Sequence, residues 1–505
     1  MKKTIKFIIC IIFTLAIYVQ ASTLNVINVH SDKMNKDVPV NIILPDSYQN
    51  SIRPFAVLYL LHGAGDDYTG WVKKTSIEQL VDQHNIIVVC PDSGRTSWYF
   101  DSPIDPTYQY EIFTAVELVK YIDKNYRTLA SRDFRAITGL SMGGHGAMFL
   151  AIRHKDVFGV VGCQSGGVDI RPFPDNWDIK KRLGPLTENK ERWNELTVIN
   201  QAKTLKDNDL QICIDCGTSD FFLNVNRALH QQLLDDKISH VYTERPGGHS
   251  WDYWSNSIKY QMLFFTECFN KAKIKVQKDK TFNTALIAVP KLENDFYDWY
   301  QRHSDILKIK NKINPQIIIV GDSITHMWAG DPKSKIARGQ QQWKNVFGKY
   351  RVLNSGFGWD RIQNVLWRID NGEIDNIRPD VFIINIGTNN LAAHNARANT
   401  PAEITEGINE ICQQIKNRHP RARIILMSIF PRGQHSTDNF RSKILETNKL
   451  LKTLSVKQQL EFLDIHDEFL DKDGNIPQEL MGDFLHPTAK GYDIWADALQ
   501  QKLAE

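Results

Sequence analysis

The stretch "FRAITGLSMGGHGAMFLAIRH", Phe134 to His154, reads as a buried strand, a turn of small residues and a helix. Ser141 stands at the tip of the turn. Its setting, "GLSMG", is the GxSxG pattern, in which glycines permit a sharp turn that lifts the serine out of a sheet. In the same turn the backbone N–H of Met142 is left free to meet a developing oxyanion. Around this stretch, "FAVLYLLHG", "NIIVVCPD", "VVGCQSG" and "LQICIDCG" are short apolar runs that end in small or polar residues. Amphipathic segments such as "EIFTAVELVKYIDKNY" lie between several of them. Strands this apolar are covered on both faces, and their alternation with helices predicts an open α/β sheet.

A serine hydroxyl needs a base, and the base needs a carboxylate to orient it. "TERPGGHSWDYW" supplies His249 late in this region, beside glycines that leave the ring room. "CIDCGTSDFF" offers two acids. Asp215 lies within the strand run and Asp220 in the loop beyond it, and Asp220 is the expected partner. "LLHGAGDD" follows an early strand and makes the Ala64 N–H the expected second oxyanion donor. Trp98, Tyr99, Phe221, Trp251 and Trp254 lie near these motifs in sequence. The first four are expected to contact substrate, with packing in the core or rim as the competing reading.

These motifs resemble the esterase D-like and feruloyl-esterase-like branch of the α/β-hydrolases over about residues 22–270. They stand in that family's order, Ser, Asp, His. The resemblance implies the α/β-hydrolase fold and an acyl-ester or acyl-transfer chemistry.

A second serine follows in "IIIVGDSITHMW", Ile317 to Trp328, again after an apolar strand. At the end of the chain, "GDFLHPTAKGYDIW" sets Asp483 three residues before His486. On a turn or first helical turn, that spacing lets the carboxylate orient the imidazole locally. "INIGTNN" puts Asn389 at a strand end, where its amide can serve an oxyanion. The strands of this half read as "QIIIVGD", "YRVLNSG", "DVFIINIGT", "ARIILMSIF" and "LEFLDI". Over about residues 290–503 it resembles the SGNH (GDSL) hydrolases, above all the catalytic subunits of brain platelet-activating-factor acetylhydrolase. The resemblance implies a flavodoxin-like three-layer sandwich. It also implies Ser323 as nucleophile, His486 as base and Asp483 as its partner, with the Ser323 N–H and Asn389 at the oxyanion. The block "GFGWD" adds Gly358 and Trp359 as backbone donors. Trp359 stands where the family usually has glycine, so a short acyl group such as acetyl is expected to fit best.

Between the halves, "NKAKIKVQKDKTFNT" is lysine-rich and poor in core residues. It predicts a linker over 272–288, joining an esterase domain at 22–271 to a second hydrolase at 289–505, each half able to fold alone. The chain begins "MKKTIKFIICIIFTLAIYVQA": lysines, then an apolar run too short to span a bilayer, then small residues. Residues 1–21 are therefore expected to be a cleaved signal peptide, the mature protein secreted or periplasmic, with no stable membrane insertion. Loss of Lys2, Lys3 and Lys6 leaves 58 basic against 58 acidic side chains. That neutral balance, without a basic patch, argues against nucleic acid as a partner. Cys213 and Cys216 form a CxxC inside a strand, where they point to opposite faces. They read as buried thiols, and no metal site or cofactor is expected. The reading is an esterase removing feruloyl or acetyl groups, or both, from an acylated polysaccharide or oligosaccharide such as xylan. The alternatives are a general short-chain or lipid esterase, and a glycan-binding protein with one degenerate hydrolase domain.

Overall fold

The computed structural model describes residues 22–505, so the expected signal peptide lies outside the described residues. The chain builds two sheets. The first has eight strands: β1 (Thr23–Ser31), β2 (Lys36–Leu44), β3 (Val57–Leu61), β4 (Ile87–Pro91), β5 (Arg135–Gly139), β6 (Val160–Gln164), β7 (Gln211–Gly217) and β8 (Val241–Arg245). Their spatial order is β1-β2-β4-β3-β5-β6-β7-β8. β1 and β2 form an antiparallel hairpin, β2 joins β4 antiparallel, and the strands from β4 through β8 are parallel. On β3, Val57, Tyr59 and Leu61 enter the core on one face and Leu58 and Leu60 the core on the other. This period-two split, with both faces buried, is why the run carries no charged residue.

The second sheet holds β9 (Ile317–Gly321), β10 (Val352–Gly356), β11 (Val381–Asn385), β12 (Arg423–Met427) and β13 (Glu461–Leu463), in the order β10-β9-β11-β12-β13. All its pairings are parallel. Ile318 and Val320 pack on one face, Ile317 and Ile319 on the other. The order is that of the flavodoxin-like doubly wound sheet, whose ligands bind beyond the strand ends where the order reverses. The first half is thus an α/β-hydrolase sheet and the second a three-layer α/β/α sandwich. Cys213 and Cys216 are buried free thiols on β7, and burial pushes both up.

The stretch expected to be a linker is partly packed. The helix Trp251–Lys275 carries the first unit to residue 275, and a short turn follows at Val276–Lys278. The longest exposed run is residues 278–281, and Thr284, Ala285, Leu286 and Ile287 are buried. Ala285 belongs to the second unit's core, while Val276 and Ile287 belong to the first's. The lysines at 273, 275, 278 and 280 disguised a segment whose few apolar residues serve two partners at once.

Polar groups close the same seam. Arg53 donates to both oxygens of Asp370, at 2.6 and 3.0 Å, and its Nε lies 3.2 Å from Glu410. Glu410, fully buried, also accepts from Ser51 Oγ at 2.8 Å and from the Ile52 N–H at 3.0 Å. Gln363 Nε2 donates to Gln277 Oε1 at 3.0 Å. Removing one partner of such a buried pair costs about 3–5 kcal/mol, because the other charge is left without compensation. A protein nicked within Asp279–Thr281 should therefore elute from size exclusion as one species, and Arg53→Ala in the nicked protein should release two fragments. Separation of the nicked wild type at micromolar concentration would show that the seam does not hold.

Candidate active sites

In the first unit β5 ends at Gly139, and the helix Met142–Arg153 starts one residue after Ser141. A Cβ on Gly139 would meet Leu61 O at 2.6 Å, and one on Gly143 would meet both His62 O and Leu61 O at 2.6 Å. Only glycine lets the helix start sit directly on the β3 end. Ser141 itself takes φ +56° and ψ −117°, a strained setting held by its N–H donating to Gln164 O at 2.9 Å. Its hydroxyl is 2.9 Å from His249 Nε2, and His249 Nδ1 is 2.9 Å from Asp220 Oδ2. Asp220 is buried, and its other oxygen accepts the Phe222 N–H at 2.8 Å.

Asp215 is held elsewhere. It accepts from Ser257 Oγ, from Arg245 at 3.1 Å and from Gln261 at 3.4 Å, tying β7 to the Trp251 helix. Burial pushes its carboxyl up, against those hydrogen bonds.

Among the described residues, the N–H groups of Met142 and Ala64 have no acceptor. The Ala64 loop is clamped: the Gly65 N–H donates to Arg95 O at 2.7 Å and Arg95 Nη2 donates to Gly65 O at 2.6 Å. A Cβ on Gly63 would sit 3.3 Å from Ser141 Cβ, so the loop lies against the serine. Together these groups offer a hydroxyl aligned on a base, a base aligned on a carboxylate, and two free donors.

Two of the expected substrate contacts are corrected. Trp98 and Tyr99 are essentially buried, at 1% and 0% exposure. Trp98 packs on His145, and its indole donates to Trp177 O at 3.1 Å; Tyr99 donates to His62 O at 3.1 Å, propping the strand end that leads into the Ala64 loop. Trp251 is engaged by Trp71, Trp254 and Lys74 rather than by His249. Trp254 is buried with its edge on His249, at 4.8 Å. Phe221 does stand at the site, 52% exposed and 4.2 Å from the His249 ring. Sequence reasoning missed its companion, Trp177, stacked on it at 5.7 Å and 17°. Trp177 lies in no motif; only its place in a polar loop, "FPDNWD", set it apart.

In the second unit Ser323 opens a four-residue helix directly after β9. Asp322 caps that helix by accepting the Ile324 N–H at 3.0 Å, while its other oxygen is buried without a partner among the described residues. Burial pushes this carboxyl up to about 7. Ser323 Oγ is 2.9 Å from His486 Nε2, and His486 Nδ1 is 2.7 Å from Asp483 Oδ2. Asp483 Oδ1 also accepts the His486 N–H at 2.7 Å and the Leu485 N–H at 3.2 Å. Desolvation pushes the Asp483 carboxyl up. The hydrogen bonds from the His486 backbone and ring, with the His486 and Arg338 charges, outweigh it and hold the group below the usual carboxylate range.

Around this serine, the N–H groups of Ser323 and Trp359 have no acceptor among the described residues. Asn389 Nδ2 donates one hydrogen to Asp360 O at 3.1 Å, which leaves its second N–H available. Gly358 is corrected: its N–H donates to His326 Nδ1 at 3.2 Å. Burial pushes His326 down to about 3, so the ring is neutral and its nitrogen is a lone-pair acceptor. Trp359 holds φ +64°, a region that glycine enters freely and a tryptophan at a cost of about 1–3 kcal/mol. Its half-buried ring meets His394 edge to face at 5.0 Å and belongs to neither core cluster of the unit.

Comparison with known proteins follows the same division. The Esterase family model matches residues 31–265, and the model of the GDSL-like Lipase/Acylhydrolase family matches residues 319–494. Platelet-activating factor acetylhydrolase IB subunit alpha2 of Rattus norvegicus is 36% identical over 196 residues, which cover 38% of this chain and 78% of that protein. The human alpha1 subunit is 31% identical over 206 residues, covering 41% and 82%. Among solved structures, a ferulic acid esterase aligns at 27% identity and a TM-score of 0.45, over 49% of this chain and 99% of that one. With its Ser323 relay inside the matched segment, the chain belongs to the GDSL-like lipase/acylhydrolase family, and it carries a second serine ester hydrolase unit of the esterase family ahead of it.

Proposed function

We propose that the protein is an exported carbohydrate esterase, with a hydroxycinnamoyl- or acetyl-ester site at Ser141 and an acetyl-ester site at Ser323. The observation that carries the reading is the pair of complete Ser–His–Asp relays with unlike surroundings. Beside His249, the Phe221–Trp177 pair offers a flat apolar face suited to an aromatic acyl group or a sugar ring. In the second unit, on this reading, the half-buried ring of Trp359 narrows the space next to its own N–H, which favours a small acyl group. The relatives of the second unit are named for acetyl hydrolysis, which agrees with that narrowing. Export rests on the charged, apolar and small-residue pattern of residues 1–21.

At each site the serine Oγ attacks the ester carbonyl carbon while its proton passes to the histidine Nε2. The paired aspartate stabilises the resulting imidazolium. The oxyanion is met by the N–H groups of Ala64 and Met142 in the first unit. In the second it is met by the N–H groups of Ser323 and Trp359 and by the Asn389 amide. Collapse expels the alcohol, which takes the proton from histidine. Water then repeats the sequence, releasing the carboxylate and restoring the serine.

The test is release of ferulate and acetate from arabinoxylan, alongside tributyrin. Ser141→Ala should remove one activity and Ser323→Ala the other, each by a factor on the order of 10⁶. Loss of every activity in either variant would refute two independent sites. Comparable rates on tributyrin and on sugar esters would favour a general short-chain or lipid esterase.

Trp359→Gly should keep acetate release within about tenfold, since the backbone donor survives and one lost donor costs roughly a hundredfold or more. The same variant should gain on butyryl and longer esters, with an unchanged or higher melting temperature because the positive φ is relieved. A much lower melting temperature with no change in chain-length preference would mean that the ring serves packing instead.

A further inference from the structure

The connector leaving the seam also walls the second site. From Val289 it runs along the 358–364 block: the Val289 N–H donates to Gln363 O at 3.2 Å, and Asn364 Nδ2 donates to Pro290 O at 2.8 Å. Asn395 Nδ2 donates to Leu292 O and to Glu293 Oε2, both at 2.8 Å. Further along the same segment, the Tyr297 hydroxyl donates to Gly358 O at 3.1 Å and the Trp299 indole to Asp360 Oδ1 at 2.7 Å. Between these anchors Phe296 stacks parallel to His326 at 6.0 Å, with Tyr297 edge-on to the same ring at 4.5 Å. Asp295 lies flush on Gly358, where any side chain would collide with its Oδ2. Residues 289–299 lie ahead of residue 319, where the match to the GDSL-like family model begins.

Asp295 is half-buried. Its Oδ1 accepts the Phe296 N–H at 2.7 Å, while among the described residues nothing donates to its Oδ2 and no cation stands within ion-pair distance. Burial raises its carboxyl, opposed by the Phe296 N–H and, more weakly, by His486 and Lys291. We propose that Asp295 is a specificity-determining residue of the second site, its free Oδ2 accepting a hydrogen bond from a hydroxyl on the alcohol half of the ester. The chemistry chooses the alcohol half. An ionised carboxylate only accepts hydrogen bonds, an acetyl group has none to donate, and the carbonyl oxygen belongs to the Ser323, Trp359 and Asn389 donors. A neutral polyol, such as a sugar with hydroxyls beside the acetylated one, meets that requirement. A phosphate-bearing alcohol is repelled by the same charge.

The inference rests on reading the second unit as a carbohydrate deacetylase, and the experiment separates the two. In the full-length Ser141→Ala protein, kcat/KM is compared for an acetylated methyl xyloside, 4-nitrophenyl acetate and acetylcholine. Asp295→Ala should lower the preference for the xyloside over 4-nitrophenyl acetate by about tenfold to a hundredfold, the range for a hydrogen bond to a charged group. The change should fall mainly on KM. Asp295→Asn, which keeps an acceptor, should recover part of it. Equal losses on all three substrates, or no loss, would overturn the role of Asp295 alone. A larger loss on acetylcholine would replace the hydroxyl with a cation and overturn it too. A parent protein that releases no acetate from the xyloside would overturn the carbohydrate reading and this inference with it.

Discussion

A parallel strand buried on both faces has no free edge or side on which to carry a polar group. Reactive side chains are therefore driven to the loops past its carboxyl end. Both units obey this constraint. Ala64 follows β3, Ser141 follows β5, Asp220 follows β7 and His249 follows β8. Ser323 follows β9, Trp359 follows β10 and Asn389 follows β11. The strands fix where the loops start, and close backbone packing fixes how they leave. At Gly139 and Gly143 the helix start touches the β3 end so closely that a single added carbon would push the units of the turn apart. The strained φ of Ser141 persists because the surrounding contacts allow no relaxed alternative.

The two relays share a geometry but not a method of holding the acid. Asp220 comes from a loop 29 residues before its histidine and is fully buried, so tertiary packing alone sets the pair. In that setting the charge on its carboxylate acts on the imidazole through little screening. Asp483 lies three residues before His486 with its side chain 49% exposed, and the intervening turn supplies its hydrogen bonds. Water screens this pair more strongly, and the backbone N–H groups of the turn compensate by fixing its orientation.

What could be read from the chain follows from these differences. Apolar runs covered on both faces announced the inner strands, and each triad residue sat in a recognisable turn. The edge hairpin β1–β2 left only an alternating pattern. Trp98 and Tyr99 were expected at the substrate because they lie near the motifs in sequence, yet both rings are buried, on residues of positive φ. Gly358 was indistinguishable in sequence from a free donor, because the acceptor that occupies it, His326, lies on another loop. The connector misled for a similar reason. Burial of Val276, Ala285 and Ile287 against two different cores follows no single period, so no helical or strand pattern marks it.

That connector changes what joining two hydrolases means. A loose tether raises the local concentration of the second site over the volume the linker can sweep. A seam closed by Arg53, Asp370 and Glu410 gives up that sweep and holds the two sites in a set relation. Ester groups are then served together only when their spacing on one substrate suits that relation. The same segment, on leaving the seam, becomes the wall at Asp295, so packing between the units and the lining of the second site are continuous along one stretch of chain. The segment that packs in the seam and the segment against Gly358 are thus one backbone, separate from the turns that carry Ser323, His486 and Asp483.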